Sequence, residues 1–166
     1  MKNFINIGNK LASLKYLKEI KEHQYAPFDL RIVNSHITDI NKLIGRRLIK
    51  KDALYINSET LWEIMQPQGH KGRHHNQHGL TENDVHNALA NISEPYCIYM
   101  SRYDRCAIVS IALSHFSEKT ITIIEINADL TGFKNAGIYK IITMYPKSKI
   151  DNILKRTEPN NILYKK

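Results

Sequence analysis

Cysteine is scarce in this chain of 166 residues, which contains Cys97 and Cys106 and no others. Two cysteines are too few for a disulfide-stapled scaffold or for a zinc site with four cysteine ligands. Both lie in segments rich in apolar residues. We therefore expect them to be small buried side chains in β-strands.

Long apolar runs are missing as well. No segment approaches the roughly 20 apolar residues that a membrane-spanning helix needs. Residues 1–20 alternate apolar side chains with lysines instead of forming the core of a signal peptide. The sequence therefore predicts an intracellular, cytoplasmic protein without a membrane partner.

Acidic residues are outnumbered, because 16 Asp and Glu face 24 Lys and Arg, which gives a formal net charge of +8 beside eight histidines. The hydrophobic fraction of 42% and the charged fraction of 24% exclude a disordered chain and allow a buried core. A basic balance predicts a polyanionic partner. Nucleic acid is favoured over a membrane surface, since the cationic residues do not line one amphipathic helix.

The apolar pattern changes near residue 54. Residues 1–53 read as a helical N-terminal extension, with apolar stripes at helical spacing over 11–20 and 37–44. Gly45 is expected to end the second of these helices.

Short helices are predicted after a strand-like segment at 54–56. Thr60 with Glu63 fits a capping box that opens the first, and Thr81 with Asp84 fits a cap for the second. The polar, glycine-containing stretch between them reads as a loop.

The rest of the chain has a β-strand pattern. Four β-rich runs occur at 96–101, 106–113, 120–127 and 138–145. Their short separations favour an antiparallel meander.

The end of the chain adds two short elements after Pro146, which is expected to terminate the fourth run. Ser148 with Asp151 fits the cap of a helix through Arg156, and residues 162–164 fit an edge strand. The predicted fold is therefore α+β, with N-terminal helices followed by a four- to five-stranded antiparallel sheet.

The most unusual local feature is the loop from His70 to His78, which has four histidines, one lysine and one arginine. No Asp or Glu occurs from Ile64 to Thr81. Uncompensated positive charge beside imidazoles suits a phosphate ligand and acid–base chemistry. A solvated polar loop is the first alternative.

A metal site is the second alternative, because His70, His74 and His78 recur every four residues. Gly72 disfavours the helix that would place them on one face, and no thiolate or carboxylate lies nearby. The sequence predicts no metal.

The run 138–145 is the second candidate feature. In a regular strand Tyr139, Ile141, Thr143 and Tyr145 share one face, so two hydroxyl groups would stand side by side. The alternative is that Thr and Tyr are present for their β-propensity.

Several motifs occur in an order that resembles a known family: Leu54–Asn57, Gly69–His74, His78–Thr81, Ala88–Leu89, Pro95, Ile142–Tyr145 and Asn161–Tyr164. The family is the phage-associated nucleases of the barnase, EndoU, colicin and RelE-like (BECR) group, which occur as C-terminal domains of MuF-type and other polyvalent phage proteins. The resemblance covers residues 54–166.

The resemblance implies a metal-independent endoribonuclease that needs no cofactor. The catalytic histidine falls on His78 or His74, and the hydroxyl residues fall on Thr143 and Tyr145. The implied reaction is attack of an RNA 2′-OH on the adjacent phosphorus, which leaves a 2′,3′-cyclic phosphate.

Cationic residues near these positions are expected to bind the substrate: Lys71, Arg73, Arg102 and Lys147. A toxin-like nuclease of phage or mobile-element origin is expected to have a cognate inhibitor protein, and delivery with a phage is compatible with this origin. The competing interpretation is a non-catalytic RNA- or DNA-binding module of a phage protein.

Overall fold

The computed structural model of the protein describes residues 5–6, 14–22, 29–32, 34–45, 54–68, 77–102, 105–130 and 133–166. Its helices are α1 (Leu14–Glu22), α2 (Asn34–Leu43), α3 (Ser58–Ile64), α4 (Glu82–Ala90), α5 (Ile150–Arg156) and a 3-10 turn (Pro159–Asn161). Its strands are β1 (Ile5–Asn6), β2 (Asp29–Ile32), β3 (Leu54–Asn57), β4 (Cys97–Met100), β5 (Arg105–Leu113), β6 (Lys119–Leu130), β7 (Phe133–Lys147) and β8 (Ile162–Lys165). Among these helices none has the length and apolar character needed to cross a membrane.

The described strands form one mostly antiparallel sheet in the order β1-β2-β3-β7-β6-β5-β4-β8. The meander from β4 to β7 and the edge strand β8 agree with the prediction, and the α+β class is confirmed. The predicted count of four to five strands is too low, because this sheet has eight. In addition, β3 runs parallel to β7, and β1 runs parallel to β2.

The N-terminal segment is not wholly helical. It contains the predicted helices α1 and α2, but β1 and β2 lie there too, and β2 pairs with β3. Strands of two and four residues are too short to give a detectable alternation, which is why the apolar pattern did not reveal them.

Two of the predicted helix boundaries are confirmed. Gly45 follows α2 with a φ of +67°, the left-handed conformation that suits glycine at the end of a helix. Thr81 caps α4, because its hydroxyl accepts the N–H of Asp84 while the Asp84 carboxylate accepts the N–H of Thr81.

Two other predicted caps are wrong. Asn57, and not Thr60, caps α3, since its side-chain oxygen accepts the N–H of Glu59 at 2.9 Å. Asn57 ends β3, so strand and helix follow each other without a loop. At α5 the residue before the helix is Lys149 in the left-handed conformation, and no side chain caps the helix. Ser148 therefore does not have the predicted role.

The sheet is apolar on both faces. On one face a large buried cluster joins the sheet to α1, α2, α3 and α4. On the other a smaller cluster joins the sheet to α5 and includes Cys97, Tyr99, Ile121, Ile150 and Leu154. The side chains of β4 alternate between the two clusters, as the pleat of a strand requires.

Both cysteines are buried and free, as expected for small core side chains. Burial raises the pKa of the Cys97 thiol to about 11, which keeps it protonated at neutral pH.

A β-bulge in β7 changes the face assignment predicted for that strand. Thr143 pairs with Ile123 and Ile141 pairs with Ile124, so Ile142 is an extra residue between them. As a result Ile141 belongs to the large cluster, whereas Thr143 lies opposite a residue of the small cluster and Tyr145 packs against that cluster. The predicted sharing of one face by Ile141 and Thr143 is therefore wrong, but the sharing by Thr143 and Tyr145 holds.

Pro146 does not terminate β7, contrary to the prediction. It pairs with Thr120, and the strand continues to Lys147. Beyond Ile141, β7 has a strand neighbour only on the β6 side among the described residues. A proline is tolerated there, because the N–H that it lacks has no partner strand on the open side.

Candidate active site

The open edge of β7 is the place where the segment 77–81 meets the sheet. The N–H of Gly79 donates to the carbonyl of Gln66 at 2.8 Å, and the N–H of Leu80 donates to the carbonyl of Ile64 at 3.1 Å. These bonds tie the segment to the end of α3. Leu80 is fully buried in the large cluster, which leaves the residues before it beside β7.

Gly79 has a φ of +65°, in the left-handed region where a side chain would be strained. A Cβ atom there would make an ordinary contact of 3.7 Å with the ring of Phe116, so the backbone conformation, and not a lack of space, favours glycine. The glycine thus lets the chain turn sharply between His78, which faces β7, and Leu80, which enters the core.

His78 lies directly against the predicted hydroxyl residues. Its Nε2 atom is 3.1 Å from Thr143 Oγ1, and its ring centroid is 5.6 Å from that of Tyr145. All three side chains are half-buried. The structure therefore brings together one imidazole and two hydroxyl-bearing side chains on adjacent elements.

Burial raises the pKa of the Tyr145 phenol above its ordinary value of 10.0. The phenol therefore keeps its proton at neutral pH and can donate a hydrogen bond to an anion. Thr143 can donate to an anion or to an unprotonated Nε2, and the tautomer of His78 decides which. The group combines a proton acceptor with two neutral donors.

Comparisons with protein-family models, with curated proteins and with solved structures give no match to this chain. What the site can do follows from its own side chains. An imidazole beside two hydroxyl groups is suited to moving a proton and holding an oxyanion. Within the described part of the chain, no three histidine, cysteine or carboxylate side chains are grouped as they would be around a metal ion.

Three of the predicted residues lie outside the described residues: Lys71, Arg73 and His74. Their roles stay predictions. The other two predicted substrate-binding residues are described, and they line different clefts.

Lys147 lines a groove of about 320 Å³, here called the lysine groove, together with Lys119 and Lys149. Lys147 is two residues beyond Tyr145 on β7, and Lys119 is its register partner on β6. Glu118 and Asp151 also line the groove, so its charge is mixed. The groove lies beyond Tyr145 in the direction of β7.

Arg102 lines a larger cleft of about 640 Å³, here called the arginine cleft, between the end of β4 and the end of α5. A second arginine, Arg156, lines the same cleft. No local pattern in the sequence indicates this pair, because the two residues are far apart in the chain and only the packing of α5 on the sheet brings them together. Arg105, the first residue of β5, pairs with Glu125 at 3.8 Å and is not among the residues that line this cleft.

Sequence reasoning also missed the partner of Asp84. His115, in the turn between β5 and β6, donates its backbone N–H to Asp84 Oδ1 at 2.9 Å and its Nδ1–H to Asp84 Oδ2 at 2.5 Å. Burial alone would raise the pKa of the Asp84 carboxyl. The hydrogen bonds from Thr81 and His115 outweigh that effect, so the pKa lies below its ordinary value of 3.8. No local pattern connects residues 31 positions apart.

The Asp84–His115 pair supports the candidate site indirectly. The His115 ring lies against Phe116, with ring centroids 3.8 Å apart, and Phe116 lies against Gly79. The carboxylate at the start of α4 therefore fixes the turn that packs against the His78 segment.

Proposed function

We propose that the protein is a metal-independent endoribonuclease in which His78 is the general base. The observation that supports this most directly is the 3.1 Å contact between His78 Nε2 and Thr143 Oγ1, with Tyr145 beside it. A histidine from the helical half that faces a Thr and a Tyr on a late strand is the arrangement that the BECR resemblance implies. The contact favours His78 over His74 as the base.

In the proposed reaction, His78 Nε2 takes the proton of an RNA 2′-OH. The 2′-oxygen forms a bond to the adjacent phosphorus, and the bond from phosphorus to the 5′-oxygen breaks. The 5′-oxygen takes a proton from water, and the hydroxide that remains takes the proton held by His78, which restores the neutral imidazole. The other fragment keeps a 2′,3′-cyclic phosphate.

In this reaction the two hydroxyl groups would bind the scissile phosphate. Thr143 donates its hydrogen to a non-bridging oxygen, and Tyr145 donates to the same phosphate or stacks on a base. Donors held in place before the reaction stabilise the charge that develops on the phosphorus. Lys147, two residues beyond Tyr145 on β7, and its register partner Lys119 on β6 supply positive charge.

The net charge of +8 supports a polyanionic substrate, since Lys and Arg release counterions when they contact phosphates. We extend the proposal to a BECR-like fold for residues 54–166 and to a toxin-like role in the cytoplasm of a bacterial host, with delivery by a phage or mobile element. Such an enzyme requires a cognate inhibitor protein in the cell that makes it.

The test is incubation of purified protein with total RNA in EDTA, followed by analysis of the 3′ ends of the fragments. The His78→Ala variant is compared with Gln77→Ala, a matched control that shortens the neighbouring side chain. We expect cyclic phosphate ends from the wild type and from Gln77→Ala, and none from His78→Ala. Binding of RNA by His78→Ala is expected to persist, because the cationic groups remain.

Other outcomes would replace the proposal. Salt-sensitive RNA binding without cleavage would favour a non-catalytic RNA- or DNA-binding module. Cleavage that needs added metal would point to the histidine-metal alternative. Equal cleavage by His78→Ala and wild type, with loss in a His74→Ala variant, would move the base to the other histidine.

A further inference from the structure

The register of the strands places the arginine cleft on the same face of the sheet as the candidate site. Tyr99 pairs with Ala107, Ala107 with Ile123, and Ile123 with Thr143. This row crosses four strands and is about 14 Å long at the ordinary strand spacing. Tyr99 lines the arginine cleft, so the row connects that cleft with Thr143.

The row itself is buried, because Tyr99, Ala107 and Ile123 belong to the small cluster that joins the sheet to α5. The face is open at the two ends of α5. The lysine groove lies at the start of this helix, beside Asp151, and the arginine cleft lies at its end, beside Arg156.

The strand directions put the two clefts on opposite sides of the row. On β7 the chain runs from Thr143 toward Lys147, and on β4, whose direction is opposite, it runs from Tyr99 toward Arg102. A second row of register partners, which runs from Cys97 to Tyr145, confirms these strand directions. The lysine groove therefore lies beyond Tyr145 in one strand direction, and the arginine cleft lies beyond Tyr99 in the opposite direction.

The cleft itself is suited to phosphate. Both Arg102 and Arg156 are exposed, and within the described part of the chain neither guanidinium forms an ion pair with a carboxylate. Asn161 adds a neutral donor, and Glu158 is the one carboxylate among the lining residues. An arginine offers a planar fork that matches two phosphate oxygens.

We propose that the arginine cleft binds the phosphate backbone of single-stranded RNA on the side of the scissile bond opposite to the lysine groove. This inference rests on the proposed nuclease function. Its consequence is that the enzyme prefers a strand that extends on both sides of the cut, and that a dinucleotide uses only the central site.

The first measurement is binding in the non-cleaving His78→Ala background, with a single-stranded RNA of about ten nucleotides, a length within the usual range for one small binding module. One double variant carries Arg102→Gln and Arg156→Gln. The control double variant carries Lys15→Gln and Lys42→Gln, which change exposed lysines on α1 and α2. If each arginine neutralises one phosphate, the slope of log affinity against log salt becomes shallower by about 1.4. The control pair is expected to leave it unchanged.

The second measurement is cleavage by the arginine double variant with His78 intact. We expect kcat/KM on the ten-nucleotide RNA to fall about tenfold or more, and kcat/KM on a dinucleotide to stay within about twofold of wild type. Arg102→Lys with Arg156→Lys keeps the charge and is expected to recover part of the loss. Dinucleotide cleavage also checks folding, because Arg156 lies in the last turn of α5, where a cation favours the helix.

Three results would overturn the proposal: an unchanged salt slope, an equal loss on both substrates, and failure of the wild type to bind the RNA. Failure of the nuclease function looks different. In that case no variant cleaves either substrate, but the salt slope still depends on the two arginines, and the cleft stands as an RNA-binding surface.

Discussion

His78 Nε2 lies 3.1 Å from Thr143 Oγ1, although the two residues are 65 positions apart in the chain. A threonine and a valine have nearly the same shape, so Thr143→Val removes the hydroxyl group without opening a cavity. We expect kcat to fall on the order of 10²-fold, since the loss of one donor to a developing oxyanion has an effect of this size. Thr143→Ser keeps the hydroxyl and should retain most of the activity. Steady-state cleavage by the two variants decides the point, and a Val variant as active as the Ser variant would remove Thr143 from the mechanism.

Tyr145 can act through its hydroxyl group or through its ring. If the hydroxyl binds the phosphate, Tyr145→Phe lowers kcat about tenfold while KM changes little, because a hydrogen bond to a charged group is lost. Tyr164→Phe is the matched control, since Tyr164 is half-buried on the edge strand β8 and packs against the opposite face of the sheet. Normal cleavage by Tyr145→Phe together with a defect in Tyr145→Leu would assign the ring to base stacking instead.

Lys147 follows Tyr145 by two residues and should contact the substrate through charge alone. Lys147→Gln is expected to weaken binding of single-stranded RNA and to make its salt slope shallower by about 0.7. Lys147→Arg should preserve both quantities. The measurement is a titration at several salt concentrations in the His78→Ala background, and an unaltered slope in the Gln variant would exclude a phosphate contact at this position.

Asp84 gives a pH dependence of stability. Because its folded pKa is below 3.8, the carboxylate stabilises the fold above its unfolded pKa, and this contribution is lost as the pH falls through the folded pKa. Asp84→Asn should reduce the free energy of unfolding at pH 7 by about 1.5–3 kcal/mol, the usual value of hydrogen bonds to a charged group.

The urea midpoints of wild type and Asp84→Asn should converge as the pH is lowered below about 4. The urea midpoint of His115→Gln should differ from that of wild type by a smaller amount at pH 7, and this difference should also shrink as the pH falls. The effect is smaller because the backbone N–H of residue 115 still donates to Asp84. A difference between wild type and Asp84→Asn that stays constant down to pH 2 would show that the charge of Asp84 does not contribute.

The sequence predicted those elements whose signal is local. The meander follows from β-rich runs with short separations, and the start of α4 follows from the spacing of Thr81 and Asp84. The grouping of Thr143 with Tyr145 on one face was predictable for the same reason, since the two residues are separated by one position in a strand. Their catalytic role stays a prediction.

What the sequence did not predict depends on distant contacts. The bulge at Ile142 exists because β6 and β7 pair in a shifted register, and nothing in residues 138–145 alone requires it. Arg156 joins Arg102 only through the packing of α5. His115 lies in the turn between β5 and β6, and nothing in the sequence of that turn indicates a contact with Asp84.

The long separation between His78 and Thr143 also governs when the site comes into being. Closing a loop of 65 residues costs chain entropy, and contacts between such distant residues form after local ones during folding. The meander can be complete while the segment 77–81 is still detached, and in that state no imidazole stands beside Thr143. On the proposed mechanism, cleavage activity would therefore be the last property to recover when the protein refolds. It would also be the first to be lost when the segment 77–81 detaches from β7.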